Sequence, residues 1–380
     1  MPLTIRSIET FMVPPGWTFV RVRTDDIDGW GEAGADIHAP AVVGAIEQLA
    51  ELLVGKPAHT IEDHWQLMMK GGFYRGGPIL GSAVAAIDEA LWDIAGQVHA
   101  VPVYDLLGGP VRERMRVYGW AGDGMDSPEE VSEIAAGLVA KGFDAMKTSL
   151  SVQRGMLTAR DIDVIVACAQ AVRDTIGPER DFGIDFHGRC QRPVVRRLLA
   201  ALEPTRPFFA EEALLPEYSA DFGQLAMATT IPIATGERLH SRWEVKQVIG
   251  TGISILQPDV AQAGGISEMR RICALAEAYD VRIAPHHAIG PIALAASLQL
   301  CFATPNMLVQ ERDVDWWGGF FERYVENPEI FAITDGHVAR PQGAGLGIVV
   351  NEKEVRKSAV TEPVRRLERN RQRDGSFAEW

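Results

Sequence analysis

From Met115 onward, short apolar runs alternate with amphipathic stretches at roughly 25–30 residue intervals, and no other feature limits the fold so strongly. A strand followed by a helix returns the chain to the end of the sheet where it started, so consecutive units lie side by side in parallel. The runs are Met115–Trp120, Ala145–Leu150, Phe182–Phe186, Pro207–Ala210, Pro232–Thr235, Ile255–Pro258, Val281–Pro285 and Met307–Val309. Eight of them suffice to close a β/α barrel. The first helix carries its own start signal in Ser127-Pro128-Glu129-Glu130: a capping hydroxyl, a proline in the first turn and a glutamate three residues on.

Before Met115 the pattern is different. Two alternating stretches, Thr4–Val13 and Thr18–Arg23, flank the turn signal Pro14-Pro15-Gly16. A helix follows that places Val84, Ile87, Leu91, Ile94 and Val98 on one face. At 380 residues the chain exceeds the roughly 250–300 that one core usually serves. We therefore expect an α/β fold of two parts: an N-terminal α+β capping domain over residues 1–113, completed by 332–380, and a catalytic barrel over 114–331. The tail Arg365–Arg373 is basic but interrupted by Glu368, and reads as a solvated surface.

A net charge of -14 with scattered basic residues argues against nucleic acid as a partner. No apolar run reaches the roughly 18 residues of a membrane span, and the first residues lack the layout of a signal peptide. The expected setting is cytoplasmic, with no membrane partner and with further copies of the same chain in a homo-oligomer. Cys168, Cys190, Cys273 and Cys301 are far apart and form no zinc or disulfide pattern.

Three runs end in an acidic group: Asp185 in GIDFHGR, Glu211 in FFAEE and Glu237 in ATGER, at intervals of 26 and 26 residues. One barrel unit separates each pair, so the three carboxylates project from adjacent strands at the C-terminal face, where barrel active sites lie. A single acidic strand end reads most simply as a helix cap; three at equal spacing point to a divalent cation, and magnesium suits hard oxygen ligands best. Glu212 competes with Glu211 for the middle position. His286 follows the seventh run in APHHAIGP, and Asp259 closes the sixth, 27 residues earlier. An Asp one strand away can fix the tautomer of that imidazole and leave its other nitrogen free to take a proton. His287 is the neighbouring rival. His187, two residues after Asp185, is a candidate acid or a further ligand. Lys147 and Glu311, at the ends of runs two and eight, complete the set, the lysine as a charge stabiliser.

The ordered motifs GGFYRGGPIL, ALWDIAGQ, VPVYDLLGG, DFHGR, ATGER, ILQPD, APHHAIGPIALAAS and DGSFAEW resemble the enolase superfamily in its mandelate-racemase-like branch. The resemblance implies an α+β cap over a modified TIM (β/α) barrel and a magnesium ion (Mg2+) held by Asp185, Glu211 and Glu237. It implies that His286, oriented by Asp259, removes the C2 proton of an acid sugar and that His187 protonates the departing 3-hydroxyl. Glu311 would hydrogen-bond the reacting carboxylate end, and the product would be a 2-keto-3-deoxy acid. The substrate expected on this basis is a small-molecule six-carbon aldonate, D-galactonate foremost. An epimerase or lactone cycloisomerase would use the same metal and base, but elimination wants an acid where His187 stands. The intact set argues against a non-catalytic metal-holding protein. Departures are Ser149 where Asn is usual, Ala213 where Pro is usual, no second Lys after Lys147, and the segment Arg312–Phe321 with Trp316 and Trp317.

Overall fold

The computed structural model describes residues 3–151, 156–313, 317–367, 370–372 and 374–378. Trp316, Glu368 and Arg373 lie outside these residues. The N-terminal part opens with an antiparallel sheet, β1 (Ser7–Val13), β2 (Trp17–Arg23) and β3 (Gly29–Ala33), with Pro14-Pro15-Gly16 at its first turn. The third strand was not expected, because two glycines in five residues weaken a strand signal. Packing explains them. A Cβ at Gly31 would lie 1.9 Å from the carbonyl oxygen of Ala86, and one at Gly29 would lie 2.1 Å from that of Ala90. Bare backbone lets the long helix Gly77–His99 rest directly on β3. Val84, Ile87, Leu91 and Ile94 of that helix are buried, whereas Val98 emerges near its end and is exposed.

The barrel runs through β4 (Arg114–Asp123), β5 (Ala145–Ser149), β6 (Asp181–Asp185), β7 (Ala210–Glu211), β8 (Ile233–Thr235), β9 (Ile255–Leu256), β10 (Arg282–Ile283) and β11 (Gln310–Glu311), the eight parallel barrel strands among the described residues. Neighbours in sequence are neighbours in space. Closure comes from β11 pairing in parallel with β4, and from a parallel bridge between Ile283 and Met307 just before β11. Its interior is filled by Tyr118, Ala145, Phe209, Ala234, Ile255, Ala284 and Val309, which form one apolar cluster. On β6 the corresponding place belongs to Gly183, where a Cβ would sit 2.4 Å from the Phe209 ring.

After β11 the chain makes a short antiparallel pair, β12 (Ile333–Thr334) and β13 (His337–Ala339), and β13 adds to the first residues of β4. It then returns to the N-terminal sheet. Val360 bridges Met12, Glu352 pairs with Arg21, and Arg356 meets Glu9 at 3.0 Å. No helix among the described residues is long and apolar enough to cross a membrane. The four cysteines are buried free thiols.

The N-terminal part is fastened to the barrel by buried carboxylates on backbone N–H groups. Glu32 accepts from Gly290, Ile292 and Ala293 (2.7, 3.1 and 3.0 Å), the start of the helix after β10. Asp88 accepts from the backbone and hydroxyl of Ser267, at the start of the helix after β9. Asp93 joins Trp30 of β3 to Leu346 of the returning chain. Anions at helix starts meet the positive end of the dipole and satisfy otherwise orphaned donors. Burial nevertheless pushes Glu32 up to about 8, Asp88 up to about 7 and Asp93 up to about 6. Glu89 accepts from the Glu32 N–H at 2.9 Å, and burial, with the charge of Glu32 added, lifts it well above the ordinary carboxylate range. A group raised in this way keeps its proton in the folded chain after the unfolded chain has lost it, so it costs stability as pH rises above that range. Glu89→Gln keeps an acceptor for the Glu32 N–H and removes this cost. Its stability relative to the parent chain should grow from about pH 5 towards about pH 8, where the unfolded carboxylate is ionised and the buried one still holds its proton. A gain of roughly 1–3 kcal/mol is expected at the upper end, the scale of one poorly compensated buried group. Thermal unfolding at stepped pH measures it, and a difference independent of pH would refute the assignment.

Candidate active site

Side chains alternate along a strand, so the residues two positions beyond the apolar cluster face inward in the next layer up. Counting on from Tyr118, Ala145, Gly183, Phe209, Ile255, Ala284 and Val309 gives Trp120, Lys147, Asp185, Glu211, Gln257, His286 and Glu311. This polar layer stands at the C-terminal ends of the strands. Glu237 and Asp259 reach it from the loops after β8 and β9.

Lys147 is 1% exposed and sits among three carboxylates: Glu211 Oε1 at 2.8 Å, Glu311 Oε1 at 2.9 Å and Asp185 Oδ2 at 3.3 Å. Burial opposes its charge, but Glu211 and Glu311 outweigh it and raise the ammonium well above its ordinary value. Asp185 also receives His187 Nε2 at 2.9 Å and the His187 backbone N–H at 2.8 Å. Burial disfavours its charge, yet His187 and Lys147 prevail and hold it well below the usual carboxylate range. Glu211 and Glu237 go the other way. Burial raises both, and the Asp185 charge adds to each rise. Negative charge here exceeds what one ammonium neutralises.

His286 Nδ1 lies 2.8 Å from Asp259 Oδ2, and its Nε2 lies 3.3 Å from Glu237 Oε2. Burial would lower its basicity, but Glu237 and the bond to Asp259 win and push it up to about 10. Asp259 Oδ1 is anchored by the Ala261 N–H at 2.8 Å. His287 turns elsewhere: its Nε2 lies 3.0 Å from the Gly290 carbonyl, and its backbone N–H donates to Glu311 Oε2 at 2.9 Å.

The ligand atoms of Asp185, His187 and Glu237 lie within 4.8 Å of one another, which makes them a candidate metal-binding group. Glu211 stands on the strand between the two acids, with its oxygens engaged by Lys147 and by Gln257 Nε2, the latter at 2.6 Å. Glu212 has both oxygens occupied by structure: the Thr235 hydroxyl at 2.6 Å, the Gly236 N–H at 2.9 Å and the Arg238 guanidinium at 2.9 Å. His187 and Glu212 have φ of 49° and 43°, a left-handed conformation that residues other than glycine seldom adopt. A divalent cation fits this donor set of carboxylate oxygens and an imidazole, because it would offset the negative charge of Asp185 that adds to the effect of burial on Glu211 and Glu237.

Above the layer lies a cavity of about 630 Å³, bounded by Trp120, Lys147, His187, Glu237, His286 and Glu311 below, and by Asp36, Ile37, His38, Pro78, Trp317 and Arg365 around its mouth. Trp317 packs edge-on against Trp17 of β2, with ring centroids 5.7 Å apart. Gln257 was absent from the residues expected at the site. The same count of two that places Glu211 and Glu311 would have found it.

The comparisons agree with this architecture. Residues 8–108 match the family described as mandelate racemase / muconate lactonizing enzyme, N-terminal domain, and residues 130–354 match enolase C-terminal domain-like. The chain is 44% identical to a D-galactonate dehydratase of Ralstonia nicotianae and 42% identical to one of Pectobacterium atrosepticum, each over the full length of both chains. Among solved structures, a mandelate racemase/muconate lactonizing enzyme from Jannaschia sp. CCS1 superposes with a TM-score of 0.86 at 32% identity, covering 94% of this chain and 98% of that one. A member of the enolase superfamily from Salmonella Typhimurium gives 0.87 at 28%, covering 93% and 98%. With both of its parts matched and relatives along its whole length, this chain belongs to the enolase superfamily, in the mandelate racemase/muconate lactonizing branch.

Proposed function

We propose that the chain is a hydro-lyase that dehydrates an acid sugar, D-galactonate foremost, to a 2-keto-3-deoxy acid. The observation that carries this reading is the pair of histidines lining one cavity, each beside its own carboxylate: His286 Nδ1 2.8 Å from Asp259 and His187 Nε2 2.9 Å from Asp185. Relatives named D-galactonate dehydratase, 42–44% identical over the whole chain, support the substrate class.

In this reading Asp259 accepts the Nδ1 proton of His286, so Nε2 faces the cavity and takes the proton from C2. The electron pair left behind forms the C2–C3 double bond as the C3–oxygen bond breaks. His187 delivers a proton to that oxygen, which leaves as water, and the enol settles to the 2-keto acid. Lys147 and Glu311 position the carboxylate end. Asp185, Glu211 and Glu237 would hold magnesium, with His187 alongside. When bound, a divalent cation supplies electrophilic stabilisation for the negative charge that develops on the substrate carboxylate. Neutralising Glu237 in this way would also weaken the pull that keeps His286 protonated, since Glu237 is the largest influence raising it. The cap in this reading is 1–113 with 332–380, the catalytic barrel is 114–331, and the enzyme works as a cytoplasmic homo-oligomer.

Excess chelator should abolish turnover and added magnesium should restore it, while Glu237→Gln should lose bound metal and turnover together. Undiminished activity in chelator would sink the metal assignment.

The two histidines separate by isotope. His286→Asn should stop both dehydration and exchange of the C2 proton with deuterated solvent. His187→Asn should block loss of the hydroxyl by roughly 10²–10⁴, the usual worth of a general acid, yet still eliminate fluoride from a 3-fluoro analogue, which needs no proton. The opposite pattern would exchange the two roles.

A further inference from the structure

An acid sugar whose carboxylate and C2–C3 bond sit on the barrel layer must present its remaining carbons to the mouth of the cavity. Two oppositely charged side chains meet there from distant parts of the sequence. Arg365 Nη1 lies 2.6 Å from Asp36 Oδ2, and both residues border the cavity that holds His187, Glu237 and His286. The pair is poised rather than loose. Asp36 Oδ1 accepts the Ile37 N–H at 2.7 Å. The Arg365 stem lies on the Pro14–Gly16 turn, where a Cβ at Gly16 would come within 2.8 Å of its Cγ. Asp36 is 17% exposed and Arg365 46%, so both retain surface for a ligand.

We propose that the Asp36–Arg365 pair reads the terminal hydroxyl groups of the acid sugar, C4 to C6. This rests on the dehydratase reading above and names the part of the site that measures chain length. Each hydroxyl of a polyol both donates and accepts. A carboxylate offers acceptors only and a guanidinium offers donors only, in a fixed fork, so the two side by side complement a run of adjacent hydroxyls. Their charges cancel, which suits a neutral polyol end better than a second carboxylate. Closing the cavity over such a ligand removes water from the pair and strengthens its hydrogen bonds, which are charge-assisted.

The test compares Arg365→Gln and Asp36→Asn with the parent enzyme on D-galactonate and on a four-carbon acid of the same C2 and C3 configuration. For each variant, KM for D-galactonate should rise about tenfold or more, the worth of one hydrogen bond to a charged group, with a much smaller fall in kcat. The preference in kcat/KM for six carbons over four should fall by a similar factor. If both variants keep the parent preference, the proposal is overturned while the dehydratase reading stands. A uniform loss on both acids with a lowered melting temperature would mean that the pair merely holds the C-terminal segment down, and overturns it too. Loss in Arg365→Gln alone, with a six-carbon diacid as the best substrate, would assign an anion site to the guanidinium and reject the paired reading. A parent enzyme that dehydrates only four-carbon acids would remove the galactonate reading and this proposal together.

Discussion

One buried ammonium holds the polar layer of this barrel together. Lys147 touches carboxylates from three other strands, and without it the buried Asp185, Glu211 and Glu311 would face one another with no cation between them. Removing one member of a buried charge network leaves the rest uncompensated, at about 3–5 kcal/mol, so the lysine is a condition of the fold. It is also insufficient. One positive charge among so many acids leaves a deficit: burial lifts Glu211 and Glu237, the charge of Asp185 lifts them further, and a cation-binding centre is a natural way for a protein to carry it.

Beneath that layer, the division of labour follows from the two-residue period of a strand. Every strand but β8 lends the inward position after its interior one to the site, so packing and chemistry share one register; on β8 that position is Gly236 and Glu237 follows it from the loop. A slip of one residue in β6 or β7 would turn Asp185 or Glu211 out among the helices and bring Phe186 or Glu212 inward. Glu212 is secured by Arg238, Thr235 and Gly236. That anchoring pins β7 against such a slip.

Much of this was legible in the sequence. The alternation of runs announced the barrel, and the equal spacing of Asp185, Glu211 and Glu237 announced adjacent strand ends, because both are periodic and local. The choices between neighbours were not legible. His286 and His287 differ only in which way a short loop turns, and what decides it is a carbonyl at Gly290 and a carboxylate at Glu311, contacts that spacing does not reveal. The third strand was hidden by Gly29 and Gly31, whose reason is a helix more than fifty residues later. Arg365 looked like part of a solvated basic tail, and only the fold brings it beside Asp36.

The attachment of Glu32 has a consequence for ancestry and engineering. The N-terminal part does more than roof the cavity, since its carboxylate seats the start of the helix that begins four residues after His287. A roof taken from a relative with another substrate would bring new walls and, at the same moment, a new seat for the loop bearing the histidine. Exchange of the two parts between lineages therefore works as a transplant only where this one contact is inherited with the roof. Where it is not, altered selectivity arrives bundled with a displaced imidazole.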